Sequence, residues 1–168
     1  MTQRILVAGI GNILLGDDGF GVEVVRRLAE RELPDAVQIV DFGIHGMDLA
    51  YALLQDYDAV ILVDAAVRGE RPGTLYLIEP ELDQEGGVAP DAHSMDPVKV
   101  LALARALGAR PTHTWMIACE PERLVDSGNY EDGLMELSEP VQAAVEEAVK
   151  MVESLVADIS GIKGGMCL

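Results

Sequence analysis

Apolar positions along the chain fall into short blocks with two different periods. Ile5-Leu6-Val7-Ala8 and Ala59-Val60-Ile61-Leu62-Val63 are continuous apolar runs, the pattern of strands covered on both faces. Val37 to Val40 reads as a further strand between them. Val22, Val25, Leu28 and Ala29 recur at helical spacing, and Pro34 stops that helix; Met47 to Leu54 forms a second. Strand, helix, strand, helix, strand predicts an α/β fold, a parallel sheet with helices on both faces.

The next connection is too short for the same rule. Only Asp64 to Gly73 separate the third strand from Thr74 to Ile78, and a parallel crossover needs about a dozen residues. The fourth strand is therefore expected to run antiparallel at an edge. Glu81 to Asp91, acidic and rich in Gly and Pro, reads as a mobile loop. Ser94 or Asp96 caps a helix with Pro97 in its first turn and Val100, Leu103 and Leu107 along it. Thr114 to Cys119 is a fifth strand, and Ser138 begins a last helix with Val141, Val145, Val152 and Leu155 on one face. No repeat or linker divides the chain, so residues 1–160 read as one domain and 161–168, with three glycines, as a flexible tail.

Composition narrows the class. The 168 residues suit one domain, and an apolar share of 49% excludes disorder. Twelve basic against 29 acidic residues leave a net charge of −17. Such a surface repels phosphate and anionic lipid, so neither nucleic acid nor membrane is an expected partner. No apolar run approaches the roughly 20 residues of a membrane-spanning helix. Arg4 followed by Ile5 to Leu15 has the outline of a signal peptide, but it lacks a small-residue cleavage site and runs straight into Asp17-Asp18. A buried strand entering a turn is the better reading. Cys119 and Cys167 make neither a disulfide framework nor a four-thiolate zinc site; as reduced thiols they point to the cytoplasm.

The chemistry concentrates after the first strand, in Gly9-Ile10-Gly11-Asn12-Ile13-Leu14-Leu15-Gly16-Asp17-Asp18-Gly19-Phe20-Gly21. A dinucleotide fingerprint needs glycine where Leu14 stands. A P-loop needs Lys and Ser/Thr where Asp17 and Asp18 stand. Two carboxylates repel a phosphate and attract a cation. Asp17 reads as a cap for the first helix, which leaves Asp18 free as a ligand. Asp64 ends the third strand, and in a 2-1-3 strand order it approaches Asp18 at the crevice beyond the strand ends. His93 supplies an imidazole between the acidic loop and a helix start. Two carboxylates and an imidazole suit a borderline metal with open positions. His45, in a Gly-flanked turn, could reach the same crevice; His113 reads as structural.

These residues carry a resemblance. The stretch Gly11 to Val22, the strand end Val63-Asp64-Ala65 and His93 resemble the maturation endopeptidases of nickel–iron hydrogenases. The resemblance implies a three-layer α/β/α sandwich on a five-stranded, mostly parallel twisted sheet with one antiparallel strand. It implies removal of a C-terminal extension from the precursor of the hydrogenase large subunit after nickel insertion. Asp18, Asp64 and His93 map onto the metal-binding positions, with nickel carried by the substrate rather than stored. The family's turn after strand two is often Asp-Gly-Gly-Thr and is linked to substrate recognition; here it is Asp41-Phe42-Gly43-Ile44-His45-Gly46, which assigns Asp41, Gly43 and His45 to recognition. The family's Gly-x-x-Pro after strand five appears as Ala118-Cys119-Glu120-Pro121. The nucleophile is not assigned.

Rival readings fare worse. Asp126-Ser127-Gly128 resembles an aspartic-protease motif, but such enzymes need two, and a turn explains one. Nothing places a histidine to activate Cys119. A non-catalytic nickel-binding chaperone would fit the same triad; tight nickel binding by the isolated protein would favour it.

Overall fold

The computed structural model describes residues 2–80, 96–122 and 136–161. His93, Ser94, the acidic loop 81–91, Asp126-Ser127-Gly128, Cys167 and residues 162–168 of the tail lie outside them.

Five strands form one sheet: β1 (Ile5–Ile10), β2 (Val37–Gly43), β3 (Ala59–Ala65), β4 (Leu75–Ile78) and β5 (His113–Cys119), in the order β2-β1-β3-β5-β4. β1 pairs in parallel with β2 and β3, β3 in parallel with β5, and β4 runs antiparallel to β5 at the edge. The short link from β3 starts β4 at the same end of the sheet where β3 finishes, so β4 must run back.

Among the described residues four α-helices make the outer layers: α1 (Phe20–Leu28), α2 (Gly46–Ala52), α3 (Pro97–Ala106) and α4 (Glu139–Ile159). The alternation of a strand explains the continuous apolar runs. Ile5, Val7, Ile61 and Val63 point to the layer of α1 and α4, packing with Phe20, Val24, Leu28, Val145 and Val149. Leu6, Ala8, Ile10, Val60 and Leu62 point to the opposite layer, against Leu49, Leu53, Leu101 and Ala104. Arg31 with Glu146 and Glu153, and Arg27 with Glu146, tie α1 to α4 at the surface.

Helix α1 lies unusually close to the sheet, and Gly21 permits it. A Cβ there would stand 2.0 Å from the Val63 carbonyl oxygen and 2.4 Å from that of Ile10. The first turn of α1 therefore rests on β1 and β3 with no side chain between. Whatever precedes α1 is thereby placed at the ends of those two strands.

Candidate functional site

The chain leaves β1 into a turn that closes on itself. Gly11 N–H donates to the Gly43 carbonyl at 2.9 Å, and Leu14 N–H to the Asn12 side-chain oxygen at 2.9 Å. That Asx turn is the local reason for asparagine at this position. Gly11 adopts φ 135°, and a Cβ there would meet the Asp18 carbonyl oxygen at 1.8 Å. Only glycine lets the two ends of the turn approach this closely. The turn ends in a single 3-10 turn, Asp17–Gly19, directly before α1.

Asp18 is half-buried, and Asn12 N–H donates to its Oδ2 at 2.8 Å. Asp64 is 7% exposed, and Ala65 N–H donates to its Oδ1 at 2.8 Å. Both aspartates border Gly11 at the exit of β1: a Cβ there would stand 1.8 Å from the Asp18 carbonyl oxygen and 3.7 Å from Asp64 Oδ1, and the charge of Asp18 acts on Asp64. Burial raises the Asp18 carboxyl above the ordinary range, against the pull of the Asn12 N–H. Asp64 is raised well above it, first by burial, then by the charge of Asp18, with the Ala65 N–H opposing and Asp96 adding a further push. This is an acidic crevice in which bound positive charge relieves both desolvation and repulsion. Among the described residues no group of three or more His, Cys, Asp or Glu side chains is arranged to hold a metal ion. His93, the third residue of the expected set, falls outside that description.

Asp17 does not cap α1. Gly19 holds the cap position of α1, with no side-chain cap hydrogen bond. The Asp17 carboxylate, 2% exposed, instead accepts from Glu122 N–H at 2.8 Å, Ser138 N–H at 2.7 Å and Ser138 Oγ–H at 2.9 Å. A tertiary set of three donors outcompetes the local cap. The last helix does begin after Ser138, but that hydroxyl serves Asp17 rather than capping α4. Asp96 does cap α3, accepting from Val98 N–H at 3.0 Å.

Asp41, Gly43 and His45 come together in one groove of about 430 Å³ beside the crevice. Gly11 and Asn12 form its near wall, Ile13 and Leu14 its rim, and Arg26 reaches it from the last turn of α1. Ile13, Leu14 and Ile44 are substantially exposed there. His113 begins β5 and is exposed there.

Two residues, Glu120 directly after β5 and Arg26 on α1, were not singled out by sequence. Glu120 is buried, and its carboxylate accepts from Arg68 N–H at 2.7 Å, Gly69 N–H at 2.9 Å and Tyr76 O–H at 3.0 Å. Burial pushes its carboxyl up, but these donors outweigh burial and hold it below the ordinary range. Glu120 thus pins the link that follows Asp64. The available signal was a carboxylate beside proline directly after an apolar strand. Arg26 gave no signal beyond its place on an exposed helix face. Cys119 is fully buried, with its thiol pushed up to about 12, first by burial and then by the charges of Asp17 and Glu120. A thiol that stays protonated at neutral pH is no nucleophile.

The sequence profile of the hydrogenase maturation proteases matches residues 22–155. The hydrogenase expression/formation protein HoxM of Azotobacter vinelandii is 36% identical over 163 residues, covering 94% of this chain and 74% of that protein. The hydrogenase 2 maturation protease of Escherichia coli is 32% identical over 169 residues, covering 96% and 94%. The solved structure of the hydrogenase maturating endopeptidase HybD from E. coli superposes with a TM-score of 0.73 at 32% identity, covering 93% of each chain. With one profile spanning most of the domain and relatives matching along nearly all of it, this chain belongs to the hydrogenase maturation protease family.

Proposed function

We propose that this protein is the endopeptidase that removes the C-terminal extension from the precursor of a nickel–iron hydrogenase large subunit once nickel is in place. The observation that carries this reading is the acid pair, Asp18 in the turn before α1 and Asp64 at the end of β3, beside a groove of about 430 Å³. Each carboxylate is oriented by one main-chain N–H, so the pair is held ready for a cation. Nickel belongs to the substrate in this reading. The acidic pair and His93 recognise it there, which makes cleavage conditional on a filled precursor. His93 is three residues from Asp96, whose charge already acts on Asp64. A nickel so held would polarise a nearby carbonyl.

Asp41, Gly43 and His45 would contact the precursor around the scissile bond. We place the protein in the cytoplasm, in keeping with the buried, unpaired thiol of Cys119. No described helix is long and apolar enough to cross a membrane.

The test mixes the protein with nickel-loaded and nickel-free large-subunit precursor and follows the mass. Loss of a C-terminal fragment from the loaded form alone is expected. Equal cleavage of both forms overturns nickel recognition, and cleavage of neither overturns the protease assignment.

A further inference from the structure

The recognition groove has one strongly basic side chain. Arg26 lines it, and also lines a second groove of about 700 Å³ on the other side of the Ile13-Leu14 tip. No other arginine or lysine lines either groove among the described residues. The neighbouring cations of this helical segment are engaged: Arg27 pairs with Glu23 and Glu146, and Arg31 with Glu146 and Glu153. Arg26 forms no ion pair among the described residues.

The rest of the surroundings make this cation selective. A net charge of −17 repels an anionic peptide almost everywhere. Asp41 in the first groove, and Glu23, Glu136 and Glu139 in the second, confine the attractive region to the Arg26 side of the first groove. Between them Ile13, Leu14 and Ile44, 42%, 55% and 56% exposed, offer aliphatic contact. An extended segment with apolar side chains and one carboxylate matches that surface.

We infer that Arg26 is a specificity-determining residue that reads a carboxylate on the precursor segment lying in this groove. The inference rests on the protease reading above. It also fixes a register. Asp18 sits in the 3-10 turn directly before α1, and Arg26 lies six residues beyond Phe20, the first residue of α1, roughly 9 Å along the helix axis. That distance equals about three residues of extended peptide. The carboxylate therefore belongs about that far from the residue facing the acidic crevice. Its source is an Asp or Glu side chain, or the terminal carboxylate of the extension.

The experiment measures processing of a nickel-loaded precursor by wild type, Arg26→Gln and Arg26→Glu. KM should rise about ten-fold in Arg26→Glu and about five-fold in Arg26→Gln, with kcat within about two-fold. Wild-type KM should climb with ionic strength, and the variants' KM should not. Lys150→Glu makes the same charge reversal on α4 and should behave as wild type. Precursors with single acids near the scissile bond changed to amides, and one with an amidated C-terminus, distinguish the two sources. The responsible one should raise wild-type KM and leave that of Arg26→Gln unchanged. Lysine at that precursor position should restore Arg26→Glu. Unchanged KM and salt dependence in a folded Arg26→Glu overturns the inference alone, as does a rise that no precursor carboxylate reproduces. A wild type that cleaves no precursor overturns both this inference and the protease reading.

Discussion

Asp17 and Ser138 are 121 residues apart in sequence and joined by two hydrogen bonds, both accepted by one buried carboxylate. Glu122 N–H makes a third. The turn that carries Asp18 is thereby fastened to the exit of β5 and the start of α4. Replacing Asp17 by Ala strands two N–H groups and a hydroxyl, and should cost about 3–4 kcal/mol. A Tm lower by roughly 6–12 °C in a thermal scan is the expected reading. Asp17→Asn keeps an acceptor and should lose about half as much.

The close approach of α1 makes a second prediction about stability. Gly21→Ala forces a methyl into two backbone carbonyls, neither of which can rotate away. The helix must lift off β1 and β3, at a cost of about 3 kcal/mol or more. Gly161→Ala provides the contrast. Gly161 also has positive φ, 69°, but nothing among the described residues stands within 4 Å of its Cβ position. Backbone strain alone should cost about 1 kcal/mol there. Urea denaturation of both variants checks the ranking.

Much of this was legible because the signal was local. Continuous runs such as Ile5 to Ala8 are what a doubly covered strand demands, and the short link after Asp64 dictates an antiparallel β4. Asp18 and Asp64 stood out because strand ends in this fold meet at one crevice. Asp17 was misread as a cap because its three donors come from Glu122 and Ser138, which no local rule brings near. Glu120 and Arg26 were missed for the same reason: a buried carboxylate and an exposed arginine acquire meaning only from what the fold sets beside them.

Cys119 should prove inert. With its thiol pushed up to about 12, only about one molecule in ten thousand carries the thiolate at pH 8. Iodoacetamide at that pH should leave the Cys119 peptide unmodified in native protein and label it in urea, as peptide mass spectrometry would reveal. Cys119→Ala should retain processing, with about 1 kcal/mol lost from the small cavity. A variant that folds but does not cleave would return the thiol to consideration as a nucleophile.

Asp64 is expected to trade stability for function. Its carboxyl is raised well above the ordinary range by burial and by Asp18, so the folded state holds the proton more tightly than the unfolded chain does. Between the ordinary carboxylate pKa and the raised one, the folded state binds more protons, and stability falls as pH rises through that window. Above that window the metal-free protein carries the full cost of two neighbouring charges. Asp64→Asn removes one charge and keeps an acceptor for Ala65 N–H. Its Tm at pH 7 should rise by about 2–4 °C, the equivalent of roughly 1 kcal/mol in a chain of this size. Processing should vanish, because a neutral amide is a poor ligand in place of a carboxylate. In the wild type, acidification should inhibit processing before an ordinary aspartate would protonate, since under the proposed nickel recognition the metal would have to displace the proton from each raised carboxyl. Asp18→Asn should shift Tm in the same direction by less, its carboxyl being the less buried of the two. A lower Tm in Asp64→Asn, or processing that survives it, would show that the crevice is not the electrostatic trap described above.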